Sequence, residues 1–155
     1  MVRISAGMLV LLGLAACGSG VTPGSVEEDN AVDVGISAFK DVCLASAPSF
    51  ANAAELAKRY SAQDWMDLGE AKVSMTKDRS LSVQIKPNKE CAITTQMRPG
   101  EIVHVQFMNA VIAATNSPAI TVQTPNPFVA ILGGRKYTFT HNRSGGEAYV
   151  MAPKR

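Results

Sequence analysis

Three observations predict an α+β fold, with two N-terminal helices packed on a mainly antiparallel sheet and a third helix between strands. The hydrophobic period changes from helical to two at Lys72. Elements come in runs rather than in strict alternation. Cys43 and Cys91 fall on opposite sides of the change of period.

Asn30 reads as a helix cap, with Asp33 in the first turn, where the helix dipole favours a negative charge. Val32, Ile36, Phe39 and Cys43 then recur at helical spacing, which places Cys43 on the buried side. Pro48 ends that segment. Ser49 reads as the cap of a second helix through Tyr60, packing through Phe50, Ala53, Ala54, Ala57 and Tyr60. Trp65 follows, either as a hydrophobic plug at the helix–sheet junction or as an exposed anchor for a partner.

Val73 and Met75 alternate with Ser74 and Thr76, and Leu81, Val83 and Ile85 with Ser82, Gln84 and Lys86. Between them Lys77-Asp78-Arg79-Ser80 reads as the turn of a β-hairpin. Cys91, Ile93, Thr95 and Met97 share one face of a third strand. If that face is inward, Cys91 reaches Cys43, and a disulfide staples helix to sheet. Such a bridge closes a loop of about 48 residues, worth up to about 4 kcal/mol by chain entropy. Residues 101–115 fit both periods, but their length and alanine-rich end favour a helix stopped by Asn116-Ser117-Pro118. Ile120 and Val122 suggest a short strand. Pro125-Asn126-Pro127 is a rigid loop before a strand from Phe128 to Leu132. After Gly133-Gly134, Tyr137 and Phe139 alternate with Lys136, Thr138 and Thr140. A loop over residues 141–146 joins this strand to a last one, Ala148–Met151.

The first 16 residues have another character. Arg3 precedes an apolar run, Met8 to Leu14, that is too short to span a bilayer, and small residues Ala15 and Ala16 follow. Leu14-Ala15-Ala16-Cys17 resembles the lipobox of bacterial lipoproteins at every position. The resemblance implies a signal peptide over residues 1–16 and lipidation of Cys17, whose several acyl chains make a durable anchor. Gly18 in place of an aspartate implies, by the same resemblance, an outer-membrane anchor facing the periplasm. Residues 17–29, rich in Gly, Ser and acids, read as a flexible tether, and residues 30–155 as one domain.

Export leaves 139 of 155 residues, enough for one core, and makes a Cys43–Cys91 disulfide the default state of the remaining cysteine pair. Residues 17–70 carry nine acids and three bases, residues 71–155 four acids and eleven bases. Mutual compensation of the two halves is the simpler account of that asymmetry, and an anionic partner the other. The only histidines, His104 and His141, stand far apart in sequence, and neither a nucleophile elbow nor a Cys-x-x-Cys pair is present. No catalytic residue, metal or other cofactor is expected. Few aromatics and an export signal argue against nucleic-acid binding.

The expectation is a non-enzymatic, lipid-anchored envelope protein, held to the membrane by its lipid, that binds another envelope protein or supports an assembly. The alternative is an inhibitor of an exported enzyme such as a cell-wall hydrolase or protease; a hydrolase is a more distant third. The expected contact surface comprises Pro125, Asn126, Pro127, Phe128, Arg135, Lys136 and Arg143. Mass spectrometry of membrane-extracted protein is predicted to find a lipid-modified N-terminal Cys17, lost with normal processing in Cys17→Ala. An unmodified soluble product beginning elsewhere would refute it.

Overall fold

The computed structural model describes residues 32–154. The signal, Cys17, the tether and Asn30 lie outside the described residues. It is Asp33 that opens the first helix: its carboxylate accepts the Gly35 N–H at 2.7 Å. Val32 precedes that cap and is exposed, so the buried stripe begins at Ile36.

Helix α1 runs Val34–Ala38 and widens into a π-helical segment, Phe39–Leu44. Ile36, Phe39, Val42 and Cys43 are buried along it, each large apolar side chain contributing about 1.5–3 kcal/mol. Helix α2 is shorter than the sequence suggests: Ala53–Ala57, closed by a 3-10 turn Lys58–Tyr60. Ser49 does not cap it. The Ser49 hydroxyl accepts from Ala51 N in a local turn, and Phe50, at φ 58°, leaves the helical path while its ring stays in the core.

Seven strands follow: β1 (Trp65–Asp67), β2 (Lys72–Met75), β3 (Leu81–Lys86), β4 (Glu90–Thr95), β5 (Phe128–Leu132), β6 (Arg135–Asn142) and β7 (Glu147–Pro153). They form one antiparallel sheet in the order β1-β2-β3-β4-β7-β6-β5, with helix α3 (Ile102–Thr115) inserted between β4 and β5 in the chain. All three helices lie on one face: α1 over β4 and β7, α2 over β3, α3 over β5. Among the described residues no helix covers the opposite face.

Several assignments differ from the sequence reading. On β2 it is Ser74 that is buried, while Val73 and Met75 face out; Ser74 pairs with Val83, whose side chain is already committed inward. Trp65 extends the sheet as a third partner of that hairpin and packs, half-buried, against the core. On α3, Val103, Phe107 and Val111 are buried and Ala114 is exposed; Asn116, at φ 47°, ends the helix. No strand forms at Ile120 and Val122. Amides there are spent on turns, Ile120 N–H to Ser117 O and Thr124 N–H to Thr121 O. Residues 141 and 142, read as loop, continue β6, because His141 extends the inward alternation of Tyr137 and Phe139. Met97 lies beyond the end of β4 and is exposed.

The Cys43–Cys91 disulfide is present, with Cα atoms 5.5 Å apart and both residues fully buried. It joins α1 to β4, as the two periodicities require. Beside it Phe39 meets Phe107 edge-on at 5.4 Å and approaches Phe139 and Tyr149, so the first helix, α3 and the sheet meet at one ring.

At Gly35 the backbone of α1 lies close against the sheet. A Cβ there would lie 2.6 Å from Tyr149 Cε2 and 2.8 Å from Thr95 Cγ2. Gly35→Ala is therefore expected to destabilise the fold by about 1–3 kcal/mol, as overpacking usually does, measured by urea unfolding. An unchanged midpoint would mean that the helix shifts freely.

Candidate functional site

The densest polar chemistry of the domain is buried where α1, α3, β6 and β7 meet. Period two explains how it is placed: Glu147 shares the inner face of β7 with Tyr149 and Met151, and His141 that of β6 with Tyr137 and Phe139. The Glu147 side chain is 0% exposed. A carboxylate so far from water requires compensation. Arg143 supplies it through Nε and Nη2 at 3.1–3.2 Å, the Arg98 amide donates at 3.1 Å, and His141 Nε2 lies 2.7 Å away. Arg143 also donates to the Arg98 carbonyl at 2.6 Å, which ties the β4–α3 connection to the β6–β7 turn.

His141 bonds at both ends. Its Nδ1 lies 3.0 Å from Nδ1 of His104 on α3, so the fold joins the two histidines that the sequence separates. The rings are 9° from parallel with centroids 5.3 Å apart. That separation exceeds the nitrogen separation by about two ring radii, so the rings meet edge to edge with the two nitrogens aimed at each other. Nitrogen ligands of one tetrahedral ion would aim instead at a common point off the line between them. The contact is a shared hydrogen bond. Since Glu147 accepts the Nε2 proton, His141 Nδ1 is the acceptor and His104 Nδ1–H the donor. No cluster of three His, Cys, Asp or Glu side chains suited to a metal occurs among the described residues.

Against the other side of His141 stacks Tyr149, at 5.0 Å and 17°. Its hydroxyl donates to the helix-capping Asp33 at 3.1 Å, and Arg98 Nη1 lies 3.7 Å from the same carboxylate. Burial, and then the Asp33 charge, push the Tyr149 hydroxyl far above its ordinary value, so it acts only as a donor. Burial pushes the imidazole of His141 down, although Glu147 opposes this; the ring is neutral. Burial alone would raise Glu147, but the Arg98 amide, His141 and Arg143 together hold its carboxyl below the ordinary value. The arrangement can orient an imidazole and pass a proton between Glu147 and His104. Sequence reading missed it because Asn142 to Gly146 look like loop; continuing the β6 and β7 alternation by one residue each would have found both ends.

The surface expected from the sequence is divided by the structure. Arg143 is spent on Glu147, and Phe128 is buried against Phe107 and Phe139. Pro125, Asn126 and Pro127 are exposed, with Asn126 pinned to both backbone groups of His141. Arg135 and Lys136 are exposed and form no ion pair among the described residues. Compensation between the two halves of the chain is partial: Arg98–Asp33 and Lys89–Glu70 cross between them. A separate polar cleft of about 520 Å³ lies between the end of α2 and the β2–β3 turn, walled by Tyr60, Asp64, Lys77 and Asp78 among others. There the Thr76 hydroxyl, followed by bonds from Ser80, holds Asp78 down at about 2, so this carboxylate serves its own turn. Comparison with family models, with characterised proteins and with solved structures finds no match.

The neutral His141 gives the fold a pH dependence of known sign. Its folded pKa lies below the ordinary 6.5, so the unfolded chain takes up the proton first. The stability this group supports is whole above about 6.5 and is lost as pH falls below it. The urea midpoint is expected to fall between about pH 7.5 and about pH 5.5, and to fall less in His141→Gln. An equally steep fall in that variant would place the sensitivity elsewhere.

Proposed function

We propose that the chain is a lipid-anchored protein of the bacterial envelope, exposed to the periplasm from the outer membrane, that works by binding another envelope protein. The lipobox resemblance at Cys17 supports the anchor, and the disulfide accords with an oxidising compartment. One observation carries the binding reading: the β5–β6 hairpin puts Arg135 and Lys136, unpaired among the described residues, beside exposed Val129 and Ile131, with Lys136 directly opposite Ile131. Apolar side chains fringed by uncompensated cations are the makings of a contact surface for an acidic partner. By contrast, the buried polar cluster spends its carboxylates and its arginine on one another.

A second reading, inhibition of an exported enzyme, is favoured by the Pro125-Asn126-Pro127 loop. Asn126 fixes it to β6, and a pre-ordered exposed loop loses little entropy on entering a cleft.

Crosslinked capture from envelopes tests both readings. Arg135→Glu with Lys136→Glu is expected to weaken capture of the partner and its salt sensitivity, while stability stays within about 0.5 kcal/mol. Normal capture by that variant would move the surface elsewhere. Capture of a hydrolase whose activity falls on binding would select the inhibitor reading.

A further inference from the structure

Strand β5 ends the sheet, and its sequence, Phe128-Val129-Ala130-Ile131-Leu132, contains no charge, no proline and no glycine. Edge strands ordinarily carry one of these to block pairing with another chain. Which backbone groups face out follows from the turn. Leu132 and Arg135 flank the two-residue loop Gly133-Gly134, whose φ values, 56° and 80°, are those of a type I′ turn. The flanking residues of such a hairpin exchange both hydrogen bonds, and bonded pairs then alternate along the ladder. Leu132, Ala130 and Phe128 thus bond to β6, while Ile131 and Val129 turn N–H and C=O away from it. The other side of β6 agrees with this register: the Lys136 carbonyl, opposite Ile131, is turned to β7 and accepts from Lys154 N at 2.9 Å. Among the described residues the outward groups of Val129 and Ile131 make no hydrogen bond.

Two features at the turn end of this edge add specificity. A cleft of about 210 Å³ opens there between Leu44, Ala47, Pro48, Leu132, Gly133 and Tyr137. Arg135 and Lys136, exposed and without an ion pair among the described residues, follow the turn.

We infer that β5 receives an extended segment of a partner protein as an eighth strand, with an apolar side chain in the Leu132–Tyr137 cleft and a carboxylate against Arg135 and Lys136. This rests on the binding reading above and names the mode and the class of partner. Main-chain bonds to Val129 and Ile131 supply affinity, and the cleft and the cations supply sequence preference. Charge decides between a foreign strand and a second copy of this chain. The stretch Thr124 to Gly134 contains no acid, so pairing β5 with β5 leaves Arg135 and Lys136 without counter-charges.

A phage library of random twelve-residue peptides, selected on the full-length protein in detergent, provides the test. Selected peptides are expected to alternate apolar and polar residues and to carry an acid, and amide exchange at Val129 and Ile131 should slow at least tenfold when they bind. Ile131→Pro removes an outward N–H that the native sheet does not use. It is expected to abolish binding; circular dichroism reports whether the fold persists, and Val129→Pro serves in its place if it does not. Arg135→Glu with Lys136→Glu should reverse the acidic preference. If both proline variants fold and bind normally while charge reversal weakens capture, the hairpin binds by another mode, and strand addition is wrong although the binding reading survives. If charge reversal is also silent, both fall. Amide protection at another surface, or dimers that form through β5 without peptide, would overturn strand addition as well.

Discussion

A single buried charge organises this domain. Glu147 sits at the start of β7 with no access to water, and a carboxylate there is tolerable only while every lone pair has a donor. Those donors come from outside its own strand: Arg143 from the turn before it, the Arg98 amide from the β4–α3 connection, His141 from β6. His141 brings in His104 and so holds α3 against the sheet. One desolvated group thereby sets the path of a loop, the height of a helix and the register of a hairpin. Removing any one donor would strand the others, so the cluster favours one arrangement over near alternatives more than it adds net stability.

The disulfide acts at the other end of α1 and by a different means. Asp33 fixes the start of that helix through Gly35 N and the Tyr149 hydroxyl, and Cys43 fixes its end to β4. Between these two attachments Gly35 lets the helix backbone reach the sheet. The helix is thus held covalently at one end and by polar bonds at the other, with Phe39 filling the space between.

How much of this was readable depended on whether a residue obeyed its element's period. Cys43 and Cys91 each fell on the inward phase of a clear pattern, so their pairing followed from sequence. Residues 102–115 resolved as helix because strand alternation could not absorb so long an alanine-rich stretch. Glu147 and His141 also obey the period, but a charge and an imidazole count as polar in a hydrophobic pattern, and the neighbouring Asn142 to Gly146 signal a loop. Such a pattern carries no mark for a polar residue that is buried because it is paired. Ser74 failed for the related reason that its orientation was imposed by Val83 across the hairpin, not by its own neighbours. The end of the first helix was legible and its start was not, since Asp33, read as a first-turn acid, is itself the cap, bonded to Gly35 N and the Tyr149 hydroxyl.

The contrast between the two ends of β6 bears on function. At the Asn142 end Arg143, His141 and Tyr149 are spent inside, on Glu147, Asp33 or the backbone of a neighbour. At the Arg135 end two cations face solvent beside a strand whose outward amides have no partner. A sheet closed by a buried network on one side can leave the opposite hairpin exposed without loss of register, because β6 is already locked by His141 and Asn126. An open edge on a strand free to slip would be an aggregation hazard; on a strand held in register it is a template. The internal chemistry and the exposed edge are in that sense one design. The first fixes the frame, and the frame holds the second in one register only.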